Sequence, residues 1–343
     1  MTIDSSRAAI GALHRVVAHH RDRYIIRNSF GDYDAVLAGR YRHQVVSAEQ
    51  LPAVGDWVSV GARRGASEIH QITGIRPRRG VFRRKAAGDG GDMQIVAANV
   101  DLAIIASALP GDVNLRRTER YLTLAWESGA IPVVVLTKAD LVDDPTVHVV
   151  AVQAIAPGVD VFAASTVTGL GLSELAALLA PGTTAVLLGS SGVGKSTVVN
   201  ALLGTDKQRT SAVRSDGAGR HTTTHRELIE LPAGASLIDT PGMRELQLWT
   251  ADDGLETAFD DISVLARDCR FGDCLHDTEP DCAVRSAIER GALDEARLAS
   301  WRNLKRELAY LERRHDAAAT AAARGQIKSL TRAARQRMKE KYE

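Results

Sequence analysis

The chain is poor in cysteine and in rings: 343 residues hold three Cys, and Phe, Trp and Tyr together make up 4%. An odd and small cysteine count excludes a complete disulfide framework and makes a reducing cytoplasm the expected compartment. With so few aromatics, contact with the backbone of a nucleic acid is expected over extensive stacking against its bases. No apolar run reaches the roughly twenty residues that span a bilayer. The N-terminal MTIDSSRAAIGALHRVVAHH lacks the charged, apolar, small-residue order of a secretory signal. There is no internal repeat. What remains is an ordinary globular composition, 45% hydrophobic and 25% charged. The length exceeds one compact core and predicts two or three domains.

A net charge of +1 hides a partition. Residues 1–90 carry +7, residues 91–284 carry −13, and residues 285–343 carry +7. Basic ends around an acidic middle suit a polyanionic partner held by the ends, although charge blocks also serve as solvated faces. Residues 14–76 hold short alternating segments (RYIIR, YDAVLAG, DWVSVGA, EIHQITGI) punctuated by turn residues, the pattern of a small β-barrel. The basic, then Gly-rich RRGVFRRKAAGDGGD reads as a connector. From VDLAIIASAL onward, continuous apolar runs (IPVVVLT, VDVFAAS, TAVLLG, ASLIDT) alternate with helical stretches. That alternation predicts a parallel sheet with helices on both faces. After about residue 250 the strands stop and helices follow, ending in the basic tail RGQIKSLTRAARQRMKEKYE. The expected division is a barrel with its connector over 1–90, an α/β domain over 91–250, and a helical domain with the tail over 251–343.

GSSGVGKST, from Gly189 to Thr197, fits G-x-x-x-x-G-K-[ST] between an apolar strand and a helix. In that context the backbone N–H groups of Gly189, Ser190, Ser191, Gly192, Val193 and Gly194 turn inward on phosphate oxygens. Lys195 places a cation on the β- and γ-phosphates, and Ser196 offers its hydroxyl to Mg²⁺. LIDTPG follows: Asp239 ends a strand and can hold Mg²⁺ through a water, and Gly242 can present its N–H to a γ-phosphate. Between them SDGAGRHTTTHRE offers three threonines in a pliable segment. Thr223 is the expected Mg²⁺ ligand, with Thr222 its nearest rival.

VVVLTKAD ends a buried strand in Thr137, Lys138 and Asp140. Guanine is commonly read by N-K-x-D, whose Asp accepts from N1–H and the 2-amino group. Here Thr137 stands for Asn, and its hydroxyl can tie loops together. VFAASTVTGLGLSEL has the look of a second base-side segment, which puts Ser165 and Thr166 near the base. The base motifs precede the phosphate loop, the reverse of the usual order, so the domain reads as circularly permuted. Domain termini that lie close together allow this.

All three cysteines fall in CRFGDCLHDTEPDC. Cys269, Cys274, His276 and Cys282 make a closed Cys₃His set, a structural zinc site with no open position for a catalytic water.

Taken together, the permuted motifs, GRHTTT, DTPGMRE, C-x₄-C-x-H-x₅-C, VGDWV and RKAAGDGGDMQIVAANVD resemble the RsgA family of small-ribosomal-subunit biogenesis GTPases over about residues 14–290. The resemblance implies an OB-fold barrel, a circularly permuted P-loop GTPase domain and a C-terminal zinc-binding helical domain. It implies a cytoplasmic, monomeric assembly factor that binds GTP/GDP with Mg²⁺, one structural Zn²⁺, and the small ribosomal subunit and its rRNA, with no membrane contact. Such a factor binds the particle with GTP and leaves on hydrolysis. Met243 occupies the place of a water-orienting Gln, and Gly192 lacks the Asn of potassium-activated GTPases, so slow hydrolysis is expected of the isolated chain. His221 is the expected water-orienting residue once the subunit fixes its loop. Its alternative is an exposed histidine contacting RNA. Two rival readings stand beside this one: a P-loop kinase or ATPase with an incidental T-K-A-D, and an RNA-binding scaffold with an inert nucleotide site. Trp301, Leu304, Leu308 and Leu311 form a helical apolar stripe expected to pack on the zinc region, and His19, His20, His43 and His70 are expected on the surface or in the barrel.

Overall fold

The computed structural model describes residues 13–20, 22–61, 69–85, 93–204, 226–239, 252–310 and 313. Five strands make the first unit: β1 (His14–His20), β2 (Arg23–Asn28), β3 (Gly31–Leu37), β4 (Trp57–Val60) and β5 (His70–Ile75). They run in the order β1-β2-β3-β5-β4, β3 and β5 are parallel, and β4 returns to β1, so the sheet closes. Alternation puts Val16, Tyr24, Ile26, Ala35, Val58 and Ile72 inside. His14 and His70 are also interior, beside Tyr33, and Asn28 Nδ2 lies 2.9 Å from His14 Nε2. His70 is thus a barrel-core residue, and His19 stacks on Tyr24 at 4.5 Å. Short helix α1 (Gly39–Gln44) lies between β3 and β4.

The turn before β4 is held by charge. Asp56 is fully buried and takes Arg78 Nε and Nη2 at 2.8 and 2.7 Å, while its Oδ2 also accepts from Ala53 N at 2.8 Å. Arg78 further donates to the carbonyls of Glu49 and Leu51. A planar fork meeting a carboxylate plus two carbonyls leaves little of the guanidinium unsatisfied. This gives the Asp of VGDWV its structural reason. The segment read as a connector contributes β6 (Val81–Lys85), which pairs with β7 (Met93–Ala98) as a hairpin.

The second unit is an α/β layer. Strands β8 (Leu102–Ala108), β9 (Ile131–Thr137), β10 (Asp160–Ala163), β11 (Thr184–Leu188), β12 (Arg226–Glu230) and β13 (Ser236–Asp239) order as β10-β9-β8-β11-β13-β12. All neighbours are parallel except β12 with β13. Every residue of β8 is buried, as a strand covered on both faces requires. The strand that carries the phosphate loop, β11, sits at the centre, although it is fourth of the six along the chain. That is the permutation expressed as topology. Helices α2 (Leu115–Glu127), α3 (Thr146–Gln153), α4 (Leu172–Leu178) and α5 (Lys195–Leu203) cover the sheet. α2 starts at Asn114, whose side chain accepts from Arg117 N at 3.1 Å, an N-cap.

The third unit is helical: α6 (Asp252–Ala258), α7 (Asp260–Ala266), α8 (Ala283–Glu289) and α9 over residues 295–310. It shares a core with the second, because Leu122, Leu124 and Val152 cluster with Phe259, Ile262, Val284 and Trp301. Trp301, Leu304 and Leu308 are buried in that cluster as the stripe predicts, and Leu311 lies outside the described residues. A Cβ on Gly254 would fall 2.8 Å from Glu127 N and from Thr123 O, so α6 approaches α2 closely enough that only glycine fits. A buried ionic group completes the seam. Arg297 donates to Glu119 at 2.9 Å, to Asp261 at 2.8 and 2.9 Å, and to the carbonyls of Ala258 and Ile155. Ser300 donates to the other oxygen of Glu119.

Candidate functional site: a nucleotide cleft and a thiol–imidazole cluster

Strand β11 runs into Gly189, whose φ is +139° and whose Cβ, if present, would sit 2.3 Å from Ala106 O. The loop therefore leaves the sheet where a side chain cannot. Gly192 and Gly194 also take positive φ, and Gly194 starts α5. Val193 is buried against Ala106 and Ala108 and pins the loop from beneath. Lys195 Nζ donates to the carbonyls of Gly189 and Ser190 at 2.8 and 2.6 Å, so the ammonium sits inside the curve of the loop. Ser196 is half-buried in the first turn of the helix, with Thr197 exposed next to it.

The end of β9 meets this loop directly. Thr137 is buried, and its hydroxyl donates to Val193 O at 2.6 Å, with Ser107 O at 3.3 Å. The threonine in place of Asn thus ties the two loops. Lys138 adopts the left-handed conformation (φ 57°) and reaches Gly192 O at 2.8 Å. Asp140 is exposed and accepts from Ser165 Oγ at 2.5 Å. Ser165 is itself buried and accepts from the N–H groups of Val167 and Thr168. Two backbone donors fix the hydroxyl, and the hydroxyl aims the carboxylate. It occupies one of about four acceptor positions of Asp140 and leaves the others to a ligand. A cavity of about 270 Å³ opens here, lined by Thr137, Lys138, Asp140, Thr166, Gly194 and Thr197 with Leu141, Ala164, Val167 and Val198. Small-molecule clefts start at roughly 300 Å³. Leu141 and Val167 of this lining are exposed apolar side chains without a sequence signature, because a lone Leu or Val in a loop carries no motif.

Ile238 pairs with Val186 of β11, which puts the end of β13 beside the strand that carries the phosphate loop, and Asp239 pairs with Glu227 of β12 on the other side. His221, Thr222, Thr223, Gly242 and Met243 lie outside the described residues.

The cysteine cluster forms as its spacing suggests. Ligand atoms of Cys269, Cys274, His276 and Cys282 all lie within 4.8 Å of one another, the one such group among the described residues. Cys269 Sγ and Cys282 Sγ are 3.9 Å apart, and His276 Nδ1 is 3.6 and 3.5 Å from them. A zinc ion at about 2.3 Å from sulfur and about 2.0 Å from nitrogen gives tetrahedral edges of about 3.8 and about 3.5 Å, so the donor set fits zinc. Burial and the neighbouring thiols push Cys274 up to about 11, so a divalent cation is what would hold three thiolates together here. Cys282 caps α8 by accepting from Arg285 N at 3.5 Å. Glu279 accepts from the N–H groups of Leu275, Asp277 and Thr278, which lowers its carboxyl to about 2. Arg302 of α9 donates to the carbonyl of His276 and fastens the loop to the helix. Neither contact has a sequence signature.

The family model "RsgA GTPase" matches residues 75–249. The curated Small ribosomal subunit biogenesis GTPase RsgA 2 of Lactiplantibacillus plantarum is 46% identical over 299 residues, 87% of this chain and 84% of that protein. This chain belongs to the RsgA family of GTPases. Its Streptomyces avermitilis relative, named a Small ribosomal subunit biogenesis GTPase RsgA, is 50% identical over 75% of this chain and 70% of that one. Among solved structures, YjeQ from Thermotoga maritima superposes with a TM-score of 0.66 at 26% identity, covering 87% of this chain and 98% of that one. YloQ, described as a circularly permuted GTPase, gives 0.62 at 22% identity over 88% and 95%. A model named "ABC transporter" also matches residues 172–338, under half the chain, a span that contains the phosphate loop both classes share. Membership in the RsgA family makes the chain a GTP-hydrolysing enzyme and removes the kinase and inert-scaffold readings.

Proposed function

We propose that this GTPase is an assembly factor for the small ribosomal subunit: it binds the maturing particle in its GTP state, hydrolyses GTP under stimulation by that particle, and leaves. The observation that carries the reading is the cleft in which Asp140, held by Ser165, and Thr137 and Lys138, tied to Val193 and Gly192, face the phosphate loop. It supports guanine recognition next to a phosphate cradle. The curated relatives' names supply the particle.

In this reading the N–H groups of residues 189–194 hold the phosphates, with Thr166 and Thr197 at the rim of the base and ribose side. Lys195 draws charge from the β- and γ-phosphates, and Gly242 N–H meets the γ-phosphate. Ser196, Thr223 and Asp239 would hold Mg²⁺, which neutralises charge developing on the phosphate oxygens. His221 orients the attacking water. Zinc at Cys269, Cys274, His276 and Cys282 is structural. Residues 1–90 and 285–343 are the basic arms that meet rRNA phosphates; the first precedes the nucleotide domain, 91–250, and the second is the C-terminal part of the helical domain, 251–343. Among the described residues no helix is long and apolar enough to cross a membrane, and the reading places the factor in the cytoplasm as a monomer.

The test is GTP turnover with and without purified small subunits, in wild type and His221→Ala. Wild type is stimulated. The variant keeps its GDP affinity and loses roughly 100-fold of the stimulated rate. Stimulation of the variant to the wild-type rate overturns the role of His221, and absence of stimulation in wild type overturns the partner.

A further inference from the structure

The barrel and the nucleotide domain are one sheet. The outer edge of β1 is divided: His14 and Arg15 pair with β4 and close the barrel, while Ala18 and His19 pair with β12. A bulge between Val16 and Ala18 separates the halves. Val17, at the bulge, is buried in one apolar cluster with Val54, Leu228 and Ile238. Along the ladder Ala18 lies opposite Glu227, and Glu227 lies opposite Asp239. The backbone of Asp239 is therefore two rungs from the barrel.

A second contact reaches the same strand. The turn at Gly55 (φ +94°) is bonded to β1 through Gly55 N to Val16 O at 2.9 Å. A Cβ there would lie 2.1 Å from Ala98 O and 3.1 Å from Ile238 Cδ1. The turn thus rests on the residue just before Asp239. Packed interiors have low compressibility and pass a displacement on rather than absorb it.

We infer that Val17 and the Gly55 turn are positioning residues for the nucleotide reaction, setting the height of β13 and with it Asp239. A load on the barrel then changes the affinity for triphosphate relative to diphosphate, and by linkage the nucleotide changes the affinity of the barrel for its partner by the same factor. This rests on the reading of Asp239 as the carboxylate on the Mg²⁺ side.

The experiment measures Kd for GDP and for a non-hydrolysable GTP analogue, with Mg²⁺, on the full chain. Val17→Ala loosens the seam from the barrel side. Ile238→Val removes the methyl group nearest the Gly55 turn and is mild enough to keep the fold if Val17→Ala does not. Ile72→Val thins the separate cluster inside the barrel and serves as control. The expected result is about fivefold or more weakening for the analogue in either seam variant, with GDP affinity within about twofold and no change of ratio in Ile72→Val. Three results overturn the inference: an unchanged ratio in the folded seam variants, parallel weakening of both nucleotides, or an equal change in the control. Repeating the wild-type measurement without Mg²⁺ separates the underlying reading, since analogue affinity indifferent to Mg²⁺ would refute the role of Asp239 and not the seam.

Discussion

Replacing Arg297 by Met tests whether the helical unit is held to the nucleotide domain by charge as well as by apolar packing. Arg297 and Glu119 each keep only 4% of their side-chain surface exposed. All five guanidinium donors are used, on Glu119, Asp261 and two carbonyls, and the guanidinium lies 4.4 Å over the ring of Phe259. Met fills much of the stem volume but leaves Glu119 buried with only Ser300 for a partner. Breaking one side of a buried pair costs about 3–5 kcal/mol. At about 2–4 °C per kcal/mol, the melting transition should fall by roughly 6–20 °C. The loss should also depend on pH. Burial already raises the carboxyl of Glu119, opposed by Ser300 and by Arg297. Without Arg297 that opposition weakens and the carboxyl rises further. A carboxyl raised in the folded state holds its proton more tightly there, so its contribution is greatest below the ordinary Glu range and is lost as pH rises through the raised value. The deficit of Arg297→Met should thus be smaller at pH 5 than at pH 8. Adding Glu119→Gln should recover part of the deficit at pH 8, because no buried charge remains. Denaturant titration at both pH values measures this. A loss below about 1 kcal/mol, a deficit that is the same at both pH values, or strictly additive single variants would refute the reasoning.

Two further outcomes are expected. Ser165→Ala frees Asp140 and removes a hydrogen bond to a charged group, worth about 1.5–3 kcal/mol; GDP affinity by calorimetry should fall by roughly tenfold or more while Lys195-side phosphate contacts persist, and an unchanged Kd would disprove the aiming role. Cys282→Ser, or a strong chelator on wild type, should melt the loop from Cys269 to Cys282 and lower the thermal transition of the helical unit, with metal analysis giving one zinc per wild-type chain; full thermal stability after complete metal removal would show the cluster to be dispensable.

Much of this molecule is legible in the order of its residues. The buried runs at VDLAIIASAL and IPVVVLT become adjacent parallel strands because nothing polar interrupts them. Chain order of the motifs gives the permutation, and total confinement of cysteine gives the Cys₃His group. The connector stayed hidden because its strand pairing is set by the partner segment Met93–Ala98, and basic residues of β6 mask a weak period of two. The seam stayed hidden for a different reason. Gly254, Arg297 and Gly55 look like ordinary residues, and each acquires meaning only from a partner that is distant in the chain. His14 and His70 enter the barrel core by the same route, through neighbours that the strand pattern alone does not assign.

The shared strand also sets a schedule for synthesis. Ala18 leaves the ribosome making this chain roughly two hundred residues before its partner Glu227. At about 5–20 residues per second, the wait is on the order of 10–40 s. For that interval β1 can close the barrel through His14 and Arg15, while the half beyond the bulge presents an unpaired edge, which invites association with other chains. The ring of His19, stacked on Tyr24, helps to guard that half until β12 arrives. A fragment ending before residue 226 would keep that edge open for good and should be prone to self-association, even though its barrel is whole.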